Sequence, residues 1–580
     1  MSTLTINLSS QLKLVDGKGD FLDLKGKISG NQVLDVNDFG KSEEIYPYGL
    51  ELYKNYIQEL LNSADSKEFL KLKVDDFPIY WWTETAIKHP ITFWAKDFFL
   101  LLAILDKGKE VLNRKYSKIS IFLPKEVKNF QSGLVETIKA FGIDAELKIV
   151  YHKEKERVSF LKLVKACLGN FKLFITFKKH IDTNKLPKEY TLFVCNHSSD
   201  KHTLHKLFEP LKSLHEDAGK KLVLIPFLEW LKVPFKAFNL PKTYIDSKPG
   251  FFQLINLNFQ IIWTYIKLKQ VKTPDIQLGK LSFSGIFLQD ELARSLLYNI
   301  HLIYAHRWLK NFFRDKKRPS QIYFEDEFYA TGKTIASAAR SQEGIIATGI
   351  QHGHFNEIHT VYNLSQEEKL IQNGNPLPHN FVVWGKYYKD VFEKNGTIET
   401  PRVLVLGNPA FIESKQEKQT LKPQHILWCM TTWECCQLEW EILKASKFQD
   451  HFDLKIRLHP LAHIREDQLT DLLAGYEFSI SKEKNIKEAF QSNPLVVTSA
   501  HSTVFLDSLV NQLFCCRLIS NRWVGSSEFT SRLLHDIRTG DELDKVLDRI
   551  VKQSNTVTGD DALEFLNLDP RAWQEFIRDT

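Results

Sequence analysis

The sequence predicts an α/β protein made of two doubly wound, Rossmann-like domains facing a cleft. Three observations lead there. Short apolar runs of strand length alternate with helical stretches from Lys118 to Gly353. A second series of the same kind starts near Asn380 and runs to Ser520. Between them, the stretch SQEEKLIQNGNPLPHN at 365–380 is polar and rich in turn residues. Parallel strands covered on both faces read as continuous apolar runs, and the helices between them supply the crossovers. The predicted domains are residues 1–370, an α/β domain with an irregular β-rich start over 1–40, and residues 371–580, a second α/β domain.

Element by element, TLTINL, LKLV and FLDL alternate weakly between Gly and Asp turns, which predicts a few short strands in the first forty residues. From Tyr46 to about Leu105 the pattern is helical. KISIFLP (118–124) and AELKIVY (145–151) read as strands, followed by YTLFVCNH (190–197), KLVLIPF (221–227), QIYFEDE (321–327) and GIIATGIQHG (344–353). The second series is NFVVWG, RVLVLGNP, HILWCM, FDLKIRLHP, FSISK, NPLVVTSAHS and LFCCRLIS, with helical stretches at 431–448 and 501–512.

Composition excludes several classes. The chain has 580 residues, 43% hydrophobic and 26% charged, which rules out disorder and collagen-like character. The net charge of +6 is mild for this length, and no basic stripe interleaved with aromatics falls on a nucleic-acid module. The seven cysteines include two adjacent pairs and no C-x2-C, so neither a disulfide framework nor a zinc ribbon is predicted. The start lacks a signal-peptide pattern, and the longest apolar run, Phe98 to Leu105, falls far short of the ~20 residues that span a bilayer. A cytoplasmic protein is expected. The stretch 153–179 mixes lysines with Phe and Leu, which predicts peripheral contact with the inner face of a membrane; the plainer reading is an ordinary helix with a solvated lysine face.

The candidate chemistry sits at predicted strand ends, where open α/β sheets bind their ligands. Arg457, His459 and Pro460 close FDLKIRLHP and offer donors to a phosphate or a leaving oxygen. Ser499, Ser502 and Thr503 form a hydroxyl-rich turn between a strand and a helix, which suits a phosphate and is equally a plain helix cap. Glu325, Asp326 and Glu327 end QIYFEDE and suit a general base or nucleophile. The nearby GKT is not a phosphate loop, because the upstream glycine of that motif is missing. His352 ends a strand before Gly353 and suits a general base. Asn196 and His197 end another strand on the acceptor side, and Trp82 lies in a WW pair read either as a sugar-stacking platform or as core. No metal and no cofactor is required by these residues.

The order QHG, FVVWGKYYKDVFEKNG, VLVLGNP, IRLHP and VVTSAHSTVFLDSL resembles the second half of bacterial surface-polysaccharide glycosyltransferases with the GT-B fold. The resemblance is to those using CMP-activated nonulosonic acids (sialic, pseudaminic or legionaminic acid) or CMP-Kdo, and it covers residues 345–515. It implies that the second domain binds the nucleotide sugar and the first the acceptor. It also implies that His459 and Pro460 hold the cytidine phosphate and that Ser499, Ser502 and Thr503 contact the phosphate. Glu325–Glu327 are similar to the D/E-D/E-G motif that supplies the base, with Gly332 standing later than that motif's glycine. The implied activity is transfer of a nonulosonic acid from CMP to a hydroxyl of a glycan or lipid-linked glycan, the CMP-sugar being a substrate and not a cofactor. Other readings of the same strand ends are a CDP-glycerol or CDP-ribitol phosphotransferase with His352 as base, a UDP-sugar epimerase, and a non-catalytic assembly scaffold.

Overall fold

The computed structural model describes residues 2–8, 20–23, 34, 38–39, 42–83, 94–124, 134–152, 158–176, 186–187, 189–195, 207–226, 247–273, 275–278, 281–284, 286–315, 318–325, 328–355, 376–395, 402–413, 423–431, 433–459, 464, 466–483, 485–500, 502–519, 531, 533–552 and 565–580. Their strands form three parallel sheets, two of six strands and one of four, and two small antiparallel pairs.

The first sheet uses β1 (Ser2–Asn7) and β2 (Asp20–Asp23), then, after the short pair β3 (Lys73–Val74) and β4 (Phe77–Pro78), β5 (Tyr116–Pro124) and β6 (Glu146–His152). Its order is β2-β1-β5-β6, all parallel. Of the first forty residues, the described strands 2–7 and 20–23 are parallel members of this sheet. Leu4 and Ile6 of β1 lie opposite Ile119 and Ile121 of β5, and all four are buried. The weak alternation of TLTI matches its burial: Leu4 and Ile6 face the core while Thr3 and Thr5 are half-buried on the other face.

The middle sheet gathers β7 (Thr191–Cys195), β8 (Leu222–Pro226), β11 (Gln321–Phe324), β12 (Ile346–Ile350), β13 (Asn380–Val383) and β14 (Arg402–Val405), with the hairpin β9 (Asp275–Leu278) and β10 (Leu281–Ser284) set apart. Its order is β14-β13-β12-β11-β7-β8. This corrects the predicted boundary at 370/371, because β13 and β14 extend the middle sheet. The chain re-enters through His379, whose Nδ1 accepts from Ala347 N at 2.9 Å while its own N–H donates to Ala347 O at 2.7 Å. That two-way clip commits the next four residues to the edge of β12.

The last sheet contains β15 (His425–Cys429), β16 (Asp453–Arg457), β17 (Phe478–Ile480), β18 (Leu495–Ser499), β19 (Cys515–Leu518) and β20 (Leu534–Ile537), in the order β17-β16-β15-β18-β19-β20. The chain then returns to the middle sheet. In the helix Pro570–Asp579, Trp573 packs edge-on against Tyr323 and donates Nε1 to Gly407 O at 3.1 Å. Asn567 donates to Trp384 O and Val405 O at 2.7 and 2.8 Å. Residues 565–580 thus belong to the middle unit, a second correction to the predicted domain 371–580. Gly385 and Gly407 make this docking fit: a Cβ would stand 1.5 Å from Phe565 O at the first and 2.0 Å from Asn567 O at the second. One apolar cluster runs from Leu4 and Ile6 through Phe324 and Phe381 to Leu427, Val496 and Phe505, so the three sheets share a core.

Candidate active site

In the last sheet the strand order, counted from its own first strand, is 3-2-1-4-5-6. The order reverses between β15 and β18, and a crevice opens where the two neighbouring crossovers leave in opposite directions. Thr431, just past β15, and Ser499, the last residue of β18, meet there with hydroxyl oxygens 2.8 Å apart. Beneath them lies Glu439, from the helix Trp433–Lys444, a residue that sequence reasoning missed. Its carboxyl accepts from Ser499 Oγ and, at 3.0 Å, from Trp428 Nε1. Burial raises its pKa to about 7, against the lowering effect of those two donors. Nothing in WECCQLEWEIL distinguishes Glu439 from an exposed helix acid; only its neighbours do.

Ser499 is 2% exposed and its proton is directed to Glu439, so it supports the crevice floor and does not line the opening. Ser502 and Thr503 are half-buried above it. Ser502 Oγ accepts from Val504 N at 3.3 Å, while Thr503, at the cap position, makes no cap bond with its side chain. Arg457 ends β16 on the far side of β15, where its guanidinium donates to Ser481 Oγ and Glu483 O at 3.0 and 3.2 Å. Two residues on, His459 is exposed, and partial desolvation holds its pKa below the usual histidine value. At neutral pH it is an uncharged hydrogen-bonding group. Pro460 lies outside the described residues.

The middle sheet reverses between β7 and β11, following the order 2-1-3-4-5-6 counted from its own first strand. Glu325 stands directly after β11 and is buried at 7% exposure. Asp326, Glu327, Asn196 and His197 lie outside the described residues. On the next strand, Gln351 fixes the turn after β12. Its Oε1 accepts from Trp384 N at 2.9 Å, its Nε2 donates to Gly353 O at 2.8 Å, and its carbonyl accepts from Trp384 Nε1 at 2.8 Å. The clamp presents His352 half-exposed beside the Tyr329 ring, 5.4 Å between centroids. His354 points inward, 3.0 Å from Tyr388 Oη.

The two strand-end regions meet. A Cβ on Gly353 would lie 3.9 Å from Thr503 Cγ2. His354 packs edge-on against Phe505 at 5.2 Å, and Phe505 carries the Arg517 guanidinium at 4.9 Å. Arg517 is in turn held by Asp536 through bonds of 2.7 and 2.9 Å. His352 and Thr503 therefore border one site, with Glu325 at the end of the neighbouring strand. Arg457 is turned toward Ser481 and Glu483.

Trp82 is corrected from sugar platform to core. It is 3% exposed, its ring lies 4.4 Å from that of Phe77, and Nε1 donates to Thr334 Oγ1 at 2.9 Å. The GKT residues Gly332, Lys333 and Thr334 are buried with it in the helix Ala330–Arg340. That helix is braced by Asp75, which accepts from Arg307 and, at 3.0 Å, from His306 Nδ1, while His306 Nε2 lies 3.2 Å from Ser337 Oγ. The Ser–His–Asp sequence of bonds is sealed from solvent, so it is a buried strut and not a nucleophile. Among the described residues, no group of three or more His, Cys, Asp or Glu gathers as a metal site.

No family model and no curated protein sequence matches the chain. Among solved structures it is similar to a UDP-GlcNAc 2-epimerase of Methanocaldococcus jannaschii, at 11% identity over 67% of this chain and 99% of that one, with a TM-score of 0.37. It is similar to TarM at 10% identity, 67% and 95% coverage and TM-score 0.36. It is also similar to MurG of Acinetobacter baumannii at 8% identity, 67% and 94% coverage and TM-score 0.32. These superpositions are loose. The strand orders themselves define a GT-B-like fold: two Rossmann-like sheets joined at the carboxyl ends of their strands.

Proposed function

We propose that the chain is a glycosyltransferase that moves a sugar from a nucleotide-activated donor to an acceptor hydroxyl. The observation that carries this reading is the apposition of Gly353 and Thr503, which brings a strand end of the middle sheet against the switch point of the last. A nucleotide in the β15/β18 crevice would set its sugar-bearing phosphate beside Ser502 and Thr503. His352, half-exposed and held by the Gln351 clamp, would take the proton of the acceptor hydroxyl. The acceptor oxygen then bonds to the anomeric carbon, the bond from that carbon to the phosphate oxygen breaks, and the nucleotide leaves with the negative charge. Hydroxyls already in place at the phosphate stabilise that charge as it develops. Glu325, buried at the end of the adjacent strand, would set the field around His352.

The finer reading is a CMP-activated nonulosonic acid as donor and a surface glycan, free or lipid-linked, as acceptor. It is supported by the sequence motifs around His459 and by the half-buried hydroxyls of Ser502 and Thr503. A half-exposed His352 would equally serve a CDP-glycerol-type phosphotransferase, so the nucleotide has to be tested directly. Thermal shifts with CMP, CDP, UMP, UDP, GDP and dTDP decide it, since specific binding at a hundredfold excess over Kd stabilises by about 2.7 kcal/mol. CMP is expected to give the largest shift, reduced by His459→Ala. His352→Ala is expected to keep that shift and lose turnover with CMP-nonulosonates by about 100-fold or more. A preference for UDP or GDP would remove the nonulosonate donor; turnover unaffected by His352→Ala would remove His352 as base.

A further inference from the structure

Two helices away from the candidate site carry most of the large apolar surface left in water. Among the described residues eleven large hydrophobic side chains are exposed, and eight of them lie on the helices Phe160–Thr176 and Phe251–Gln270. Phe252 is 83% exposed, Phe259 66%, Leu168 63% and Leu161 62%. On the second helix, Phe252, Ile255, Phe259 and Trp263 recur every three or four residues and form one stripe along the solvent side. Leu254, Leu257, Ile261 and Leu268 of the same helix are buried on the opposite side. The helix therefore has two apolar faces, and folding of this chain uses one of them.

The helices run side by side in opposite directions. Phe171 meets Phe251 at 5.6 Å at one end, and Phe160 meets Tyr265 at 6.2 Å at the other. Their outer faces thus form a single surface. Among the described side chains of the two helices the charge has one sign: Lys162, Lys165, Lys267 and Lys269 are exposed, and neither helix contains Asp or Glu. Lys269 is paired with Asp290 of a neighbouring helix at 3.4 Å, while Lys267 lies 5.5 Å above the Trp263 ring and Lys165 is exposed.

We propose that this surface docks the protein on an anionic lipid bilayer, with the Phe252–Trp263 stripe in the headgroup–acyl boundary and the lysines at the phosphates. An apolar aromatic face on two helices whose charged residues are all lysines is the chemistry of an interfacial helix. A second copy of the chain is disfavoured as occupant, because a two-fold contact would set this lysine-bearing face against itself while the two helices supply no acid of their own. The surface deepens the membrane reading of 153–179, of which 153–157 and 177–179 lie outside the described residues: the larger apolar share comes from the helix Phe251–Gln270. Within the described residues no helix is long and apolar enough to cross a membrane, so docking would be peripheral. The inference stands independently of the nucleotide that the active site takes.

The test is sedimentation of the full chain with vesicles of phosphatidylcholine alone and of phosphatidylcholine mixed with phosphatidylglycerol. Binding is expected only to the mixed vesicles and is expected to weaken with salt. Phe252→Ser/Phe259→Ser should lower the partition coefficient roughly tenfold or more, and Lys165→Glu/Lys267→Glu should do likewise at low salt. All four side chains contact solvent, so an unchanged thermal midpoint in each variant shows that the fold is intact. No sedimentation with either vesicle, or binding that neither pair of substitutions alters, would overturn the proposal. A concentration-dependent dimer abolished by Phe252→Ser/Phe259→Ser would also overturn it, giving the face to a second copy.

Discussion

Glu439 shows how much one buried residue can carry. Its folded pKa of about 7 stands above its ordinary value of 4.5 because burial penalises the charge more than Ser499 and Trp428 compensate. A carboxyl with a raised folded pKa binds its proton more tightly in the native state than in the unfolded chain. Stability therefore falls as pH rises from about 4.5 to about 7, and is level outside that window. The difference corresponds to about 3 kcal/mol lost at pH 8 relative to pH 4. In Glu439→Gln the amide can still accept from Trp428 and donate to Ser499 Oγ, but it cannot ionise. The variant's thermal midpoint is expected to match the parent's near pH 5 and to exceed it at pH 8. Parallel curves across that range would mean that the carboxyl is solvated. Gln351, by contrast, was visible as part of QHGH, yet its role as the clamp on Trp384 and Gly353 was not, because Trp384 lies thirty-three residues further along the chain.

At the scale of elements, the strands were readable and their partners were not. QIYF, IATGI, HILWC and LVVTS are continuous apolar runs because helices cover both faces, and each is a strand as expected. NFVV and RVLV were also read correctly as strands, but periodicity says nothing about which edge a strand joins. That choice is made by His379 on Ala347 at one end and by the returning tail at the other. The tail's docking leads to a prediction at Gly407, which has φ +84 and stands where a Cβ would meet Asn567 O at 2.0 Å. Gly407→Ala puts an L side chain in the left-handed region, at on the order of 1–3 kcal/mol, and adds the clash. The helix Pro570–Asp579 is expected to detach first. Limited proteolysis should then release a C-terminal fragment from the variant and not from the parent, while the rest of the chain persists. Equal resistance of both would mean that the tail holds without the turn at Gly407.

Across the whole molecule, the candidate site exists only because the middle and last sheets are coupled. Sequence spacing placed His352 and Thr503 at strand ends but gave no means of seeing that these ends touch, since they stand 151 positions apart. The coupling is physical: His354 packs on Phe505, Phe505 on Arg517, and the shared core passes through Phe505 from one sheet to the other. One face of the last sheet has its own core, built on Trp428, Trp440 and Phe448, so that unit has the means to persist when the link is weakened. Phe505 is fully buried, and Phe505→Ala removes the ring from both partners at about 3–5 kcal/mol. In calorimetry the parent is expected to unfold the two sheets in one transition, whereas the variant should separate into two. The nucleotide should stabilise only one of those two, the one belonging to the last sheet, because the β15/β18 crevice lies within it. Turnover should fall further than nucleotide affinity, since His352 would no longer be held at the phosphate. A single, merely lowered transition in the variant would mean that the sheets are coupled by the rest of the shared core, and that Phe505 contributes stability without joining the two halves of the site.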